Sequence, residues 1–169
     1  MRTFRRLYQP GGTYFFTVVT ANRWPCFDNA DNVRLLGDAL QCTRSSHPFD
    51  SLAIVVMPDH LHCLWKLMPD DADFSLRWQL VKKRFTANLS AASPHTSRRT
   101  IWQPRFWEHL IRDAEDFGRH LDYLHYNPVK HGLAATPSAW PYSTFKRYVR
   151  TGVYAPDWAA DSANRLRNT

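Results

Sequence analysis

The stretch SLAIVVMPDHLHCLWKLM, residues 51–68, decides the fold. SLAIVVM (51–57) is apolar and rich in β-branched residues, Pro58-Asp59 interrupts it, and HLHCLWKLM (60–68) resumes the apolar run. Two strands with so short a connection predict an antiparallel hairpin. In the second strand, residues two apart share a face, so His60 and His62 lie roughly 6.5 Å apart on one side. Leu61, Cys63 and Trp65 then face the other way, into a core. Paired imidazoles on one face can converge on one ion or one phosphate. The same spacing also occurs as ordinary surface or hydrogen-bonded core histidines, so the pair needs a partner before it carries chemistry.

On the N-terminal side, the turn signal Pro10-Gly11-Gly12 precedes TYFFTVVT (13–20), a third strand-forming run. Residues 29–46 read as a helix. Asn29 is suited to the N-cap, Val33, Leu36, Leu40 and Thr43 share a face, and Pro48 marks the end. On the C-terminal side, Phe74–Leu89 reads as a basic helix, SAASPHTSRRT (90–100) as a mobile polar loop, and RFWEHLIRD (105–113) as a fourth strand. A further helix is predicted from Ala114 to about Tyr126, with Pro128 stopping or bending it. WPYSTFKRYVRTG (140–152) reads as a short helical or irregular segment, and ADSANRLRNT as a fraying polar end. The order β-α-β-β-α-β-α predicts an α+β fold, a ferredoxin-like antiparallel sheet covered on one side. One domain over 1–150 and a C-terminal tail over 151–169 are expected.

With 169 residues, 44% of them hydrophobic and 14% aromatic, the chain has enough apolar surface for a folded core without disulfides. Cys26, Cys42 and Cys63 form no CxxC pair, which argues against a disulfide framework or a cysteine zinc knuckle. No run approaches the length needed to cross a bilayer, and the N-terminus is unlike a signal peptide, so a soluble cytoplasmic protein is expected. The net charge of +7 suits a polyanionic partner, though charge alone is compatible with simple solubility.

The partner for the histidines lies in LDYLHYNPVKHGL (121–133). In a helix Tyr123 and Asn127 are four apart and share a face, presenting a phenol and a carboxamide together. The His-hydrophobe-His motif after Pro-Asp, the run WQPRFWEHLIRD (102–113) and YxxxNPVKHG (123–132) together resemble the single-tyrosine branch of the HUH endonucleases. Within that branch they are most similar to the REP-associated tyrosine transposases of bacteria. The resemblance runs from GGTYFFTV (11–18) to WPYSTF (140–145).

That resemblance implies an HUH fold and a divalent ion, Mg²⁺ or Mn²⁺, held by His60, His62 and Asn127. It implies Tyr123 as the nucleophile, a 5′-phosphotyrosine intermediate, and single-stranded DNA cleavage and strand transfer. The implied substrates are hairpins of repetitive extragenic palindromes (REPs), bound by a protein expected to be monomeric. Tyr126 is a second phenol within a turn, but the family motif places the attacking one four residues before the asparagine. His125 and His131 are candidate ligands or phosphate contacts, or simply histidines near a helix C-terminus. Glu108 and His109 point oppositely on a strand, so at most one faces the site, and neither is read as catalytic.

DNA contacts are expected from Arg77, Lys82, Lys83 and Arg84 on the basic helix, and from Arg5, Arg6, Arg105, Arg112, Lys130, Lys146, Arg147 and Arg150. Trp102, Phe106, Trp107, Tyr142, Phe145 and Tyr148 are candidates for stacking on unpaired bases, against the commoner role of core packing. Two rival readings remain open: a zinc phosphodiesterase with no covalent intermediate, and a hairpin-binding protein without turnover.

Overall fold

Seven residues of each central strand pair without a break, Thr13 against Lys66 through Val19 against His60, and this ladder sets the phase of everything packed on it. The computed structural model describes residues 6–94 and 100–159. Four strands, β1 (Thr13–Val19), β2 (Phe49–Val56), β3 (His60–Leu67) and β4 (Trp107–Leu110), form one sheet in the order β2-β3-β1-β4. All neighbours are antiparallel. Helices α1 (Ala30–Ser46), α2 (Phe74–Ala92) and α3 (Ala114–Lys130) follow β1, β3 and β4, and the short α4 (Phe145–Arg150) comes last. This is the ferredoxin-like order expected from the sequence, with a helical extension.

Entry into β1 depends on two glycines. Gly11 has φ +66°, which L side chains rarely adopt, and a Cβ on Gly12 would come 2.8 Å from the Tyr14 ring and 2.9 Å from the Gln9 carbonyl. At α1, Asn29 caps as expected, its side chain accepting from the Asn32 amide. Leu36, Ala39 and Thr43 are buried, with Val33 and Leu40 packed beside them.

The expectation of a sheet covered on one side is corrected by the two cores. On one face Tyr14, Phe16, Val18, Leu61, Cys63, Trp65 and Leu67 meet α1 and α2, with Trp78 stacked on Trp65 at 4.3 Å. On the other face Phe15, Ala53, Val55 and Leu64 meet Leu121 and Leu124 of α3 and Phe145 of α4. A register shift in β2 between Ser51 and Ala53 changes parity, so that Phe49 and Val56 both reach the first core. β3 is therefore buried on both sides, which explains its almost unbroken apolar run.

Three boundaries differ from expectation. The second helix continues to Ala92, three residues into the predicted loop, and residues 95–99 of that loop lie outside the described residues. The fourth strand is only Trp107–Leu110, because the chain pairs with β1 over four residues. α3 runs through Pro128 to Lys130. Pro128 gives no N–H to the ladder, but a Schellman ending follows it at once. Gly132 (φ +70°) donates to the Val129 carbonyl and Leu133 to that of Pro128. Beyond α4 the chain packs back, with Tyr154 buried against Phe145 and Trp158 at 4.6 Å from Tyr154.

Arg77 belongs to the fold rather than to its surface. It is 2% exposed, and its guanidinium donates to the carbonyls of His47, Pro48 and Asp73 and to the Asp71 carboxylate. Arg77→Ala leaves those acceptors unpaired, and the expected loss is about 3 kcal/mol in denaturant unfolding. Lys83→Ala, on the exposed side of the same helix, should leave the midpoint unchanged.

His125 is fully buried between α3 and α4, with Nε2 2.9 Å from Thr144 Oγ1. Burial, and secondarily Arg147, push its imidazole down to about 4. Between its ordinary 6.5 and that value the unfolded chain binds a proton that the folded chain refuses. Stability is thus full above about pH 6.5 and falls as the pH drops toward 4, by up to about 3 kcal/mol from this group. Urea titrations at pH 7 and pH 4.5 should show a smaller acid loss for His125→Gln than for the wild type.

Candidate active site

The phase of β3 sends His60 and His62 to the face covered by α3. Their ring centroids lie 4.9 Å apart at 78°. Each Nδ1 is engaged: that of His60 with Asp59 Oδ1 at 2.6 Å, that of His62 with Thr17 Oγ1 at 2.8 Å. A carboxylate and a threonine hydroxyl on Nδ1 hold each ring with Nε2 forward, as ligating histidines are commonly held. His62 Nε2 is buried and finds no hydrogen-bond partner among the described residues. Burial, with His60, His131 and Lys130 nearby, pushes the His62 imidazole down to about 3. It is therefore neutral, the form that binds metal ions.

α3 lays a polar stripe across this pair. The Tyr123 ring stands 5.3 Å from that of His62 and remains 40% exposed. Two turns on, His131 just past the helix end stands 5.5 Å from His60. Asn127 lies between them on the same face and is fully buried. Neither its Oδ1 nor its Nδ2 has a partner among the described residues. A buried carboxamide with all its hydrogen-bonding capacity unused costs free energy unless something else uses it. Two imidazoles held through their Nδ1 atoms, one of them with a buried, unpartnered Nε2, and one amide oxygen fit a divalent ion with room for oxygen ligands.

Lys130 places its Nζ 4.8 Å from the centre of the Tyr123 ring. Burial and the charges of His60 and Lys130 hold the His131 imidazole below its ordinary value. Asp59 is held low despite its partial burial, by hydrogen bonds from His60 and Arg23.

The other candidates distribute unevenly. Tyr126 turns toward Trp158, with rings 6.5 Å apart, and His125 faces α4. Glu108 points to the α2 side, where Arg6 pairs with it at 2.6 Å and lies over Phe106. Burial raises the Glu108 carboxyl while Arg6 opposes that. The helix expected to carry a basic track, α2, covers the sheet face opposite the histidines. Arg77 is buried there, Lys82 donates to the Gln103 carbonyl, and Arg84 donates to Thr43 Oγ1. Burial also pushes Lys82 down to about 8. Lys83 is exposed on that far side.

Of the remaining cations, Lys130 is in the site and Arg112 sits at Asp116. Arg147 donates to the Leu52 carbonyl, and Arg105, Lys146 and Arg150 are exposed. Arg5 lies outside the described residues. Among the expected stackers, Trp102 and Phe145 are buried and Trp107 is exposed on the site's own face.

Sequence reasoning did not find Thr17 and Asp59 as orienting groups. Asp59 adjoins His60 in sequence, but Thr17 meets His62 only through the strand register. It also missed a trio at the start of α3, in which Asp116 accepts from His109 Nε2 at 2.8 Å and lies 3.3 Å from His120 Nδ1. These three have the spacing of a metal-binding group, all ligand atoms lying within 4.8 Å.

Residues 9–111 match the family described as "Transposase IS200 like". The chain is 44% identical over 161 residues to an Escherichia coli REP-associated tyrosine transposase, spanning 95% of this chain and 93% of the relative. A Haemophilus influenzae protein assigned to the same group is 38% identical, spanning 99% and 98%. A solved structure of a REP-associated tyrosine transposase bound to a REP hairpin superposes with a TM-score of 0.85. It has 44% identity and covers 94% of this chain and 92% of its own. The chain belongs to the IS200-like transposases and, within them, to the REP-associated tyrosine transposases.

Asn127→Leu tests the cost of the site. The substitution removes two unpaired buried polar atoms at similar volume. Prepared without metal, the Asn127→Leu variant should therefore be more stable than the wild type by about 1–2 kcal/mol in urea unfolding.

Proposed function

We propose that this protein is a divalent-metal-dependent endonuclease and strand transferase for single-stranded DNA at REP-type hairpins, working through a 5′-phosphotyrosine intermediate at Tyr123. The observation that carries this reading is the phenol of Tyr123 beside two imidazoles whose Nδ1 atoms are engaged, with an unpaired carboxamide one helical turn away. His60, His62 and Asn127 hold the ion, Mg²⁺ or Mn²⁺. When bound it supplies Lewis-acid polarisation of the scissile phosphate.

The chain's own residues account for the rest. Asp59 and Thr17 hold the imidazoles in one tautomer and orientation. The Tyr123 oxygen forms a bond to phosphorus while the bond from phosphorus to the 3′ oxygen breaks. The phenolic proton is given up, and the leaving oxygen takes one to become a 3′-hydroxyl. Lys130 places its Nζ beside the ring that carries the attacking oxygen. Because the tyrosine ester retains the phosphodiester linkage, attack by another 3′-hydroxyl reverses the step and joins strands without a nucleotide cofactor.

REP-type hairpins as substrate are supported by the 44%-identical solved structure bound to such a hairpin. A monomeric enzyme is supported by the completeness of the site, since α3 docks on the sheet of its own chain and brings Tyr123 to its own His62. No helix among the described residues is long and apolar enough to cross a membrane, consistent with action on DNA in the cytoplasm.

Incubation with Mn²⁺ and a REP hairpin carrying single-stranded flanks should give a covalent DNA adduct that survives a denaturing gel. Tyr123→Phe and EDTA should each lower adduct and cleavage on the order of a thousandfold. Cleavage that persists in Tyr123→Phe without an adduct would assign the attack to water instead. Binding without cleavage by the wild type would make this a hairpin-binding protein.

A further inference from the structure

Trp107 stands where a core residue has no reason to be. Across the sheet the register runs Val55, His62, Thr17, Trp107, so its indole lies on the same face as His62, two strands away. It is 48% exposed. Beside it opens a cleft of about 300 Å³ lined by Phe15, Trp107, Arg119, His120 and Tyr123. One wall of the cleft is thus an exposed indole, and another is the phenol read above as the nucleophile.

The indole is held in place. Its plane is within 7° of the His109 ring, which is stacked within 15° of His120 at 4.5 Å. Asp116, 1% exposed, fixes both imidazoles. His109 Nε2 donates to its carboxylate, and His120 Nδ1 donates to its backbone carbonyl at 2.8 Å. Phe15 abuts both Trp107 and Tyr123 edge-on. Arg119, half-exposed at the rim, is tied to Glu115 at 2.9 Å and to Asp116 at 3.2 Å and so stiffens that edge. A flat, preorganised aromatic surface needs little ordering on binding and matches the π-face of one nucleobase.

We propose that Trp107 is the stacking seat for one unpaired nucleobase of the strand being cut, adjacent to the phosphate that Tyr123 attacks. The inference rests on the reading of Tyr123 as the DNA-cleaving group. It adds a residue that chooses where along the single strand the phosphate is presented.

The test is an equilibrium binding cycle in the Tyr123→Phe background, which removes cleavage. The DNA is a REP hairpin with single-stranded flanks, and a matched series replaces one flank nucleotide at a time by an abasic site. Against Trp107, one flank position should lose roughly tenfold in affinity when its base is removed. Trp107→Ala should cost the same tenfold on intact DNA, show no further loss at that abasic position, and leave affinity for the flankless hairpin unchanged. Trp107→Phe should recover most of the loss.

If Trp107→Ala binds intact and abasic flanks with the same separate losses as Trp107, or weakens the flankless hairpin equally, the seat is not there. Should the alanine variant unfold, Trp107→Leu keeps the packing area and must still erase the abasic effect. A wild type that forms no adduct while the cycle holds would overturn the cleavage reading and leave the seat intact. Adduct formation with no abasic coupling at Trp107 would do the reverse.

Discussion

The phase of β3 is the constraint from which the site follows. Odd residues of this strand fill an aromatic core under α1 and α2, and even residues present His60, His62 and Leu64 to α3. A slip of one residue would push both imidazoles among Trp65, Trp78 and Phe16 positions and bring Trp65 out toward the helix that carries the phenol. Burying a large aromatic side chain contributes about 2–3 kcal/mol, and several on one face move together, so the register is strongly held. The polar site is an indirect product of apolar packing on the opposite side of the same strand.

α3 converts that register into a reactive geometry because it is fixed at both ends. At its start Asp113 caps the Asp116 amide, and Asp116 in turn receives the Arg112 amide. At its end Pro128 and Val129 are buried, and Gly132 closes the Schellman turn. Between these anchors Leu121 and Leu124 dock on Phe15 and Leu64. Tyr123 and Asn127 are thus positioned by hydrophobic neighbours on adjoining helical positions rather than by hydrogen bonds of their own. The Asn127 side chain makes none among the described residues, which leaves its full hydrogen-bonding capacity facing the histidines' side of the helix.

Elements whose signal is local were legible in the sequence. These are the strands with their β-branched runs, the Asn29 cap, the hairpin after Pro58, and the four-residue interval from Tyr123 to Asn127. What escaped depends on tertiary partners. The continuation of α3 through Pro128 required knowing that a Schellman ending would compensate one missing hydrogen bond. The side of the sheet on which α2 lies decides whether Lys83 can be near the site, and helical periodicity does not carry that information. Arg77 reads as a surface cation by type, yet three carbonyls and a carboxylate take it out of solvent. Thr17 became relevant only through its cross-strand pairing with His62.

The trio of His109, Asp116 and His120 has the spacing of a metal site, but its hydrogen bonds describe a different device. The guanidiniums of Arg112 and Arg119 lie against the Asp116 carboxylate, at 3.5 and 3.2 Å, together with the Arg112 amide and His109. Burial would raise this carboxyl, but those donors hold it well below the usual range. A cation entering there would have to displace donors that already neutralise the charge, and His120 Nδ1 spends its proton on a backbone carbonyl. Compare His60 and His62: both Nδ1 atoms point back to orienting groups, and the buried His62 Nε2 and the Asn127 amide find no partner among the described residues. One cluster is saturated and stiff, and the other is oriented with hydrogen-bonding capacity to spare. The first therefore serves as the rigid backing of the aromatic wall at Trp107, and the second keeps the donor atoms on which the proposed function rests.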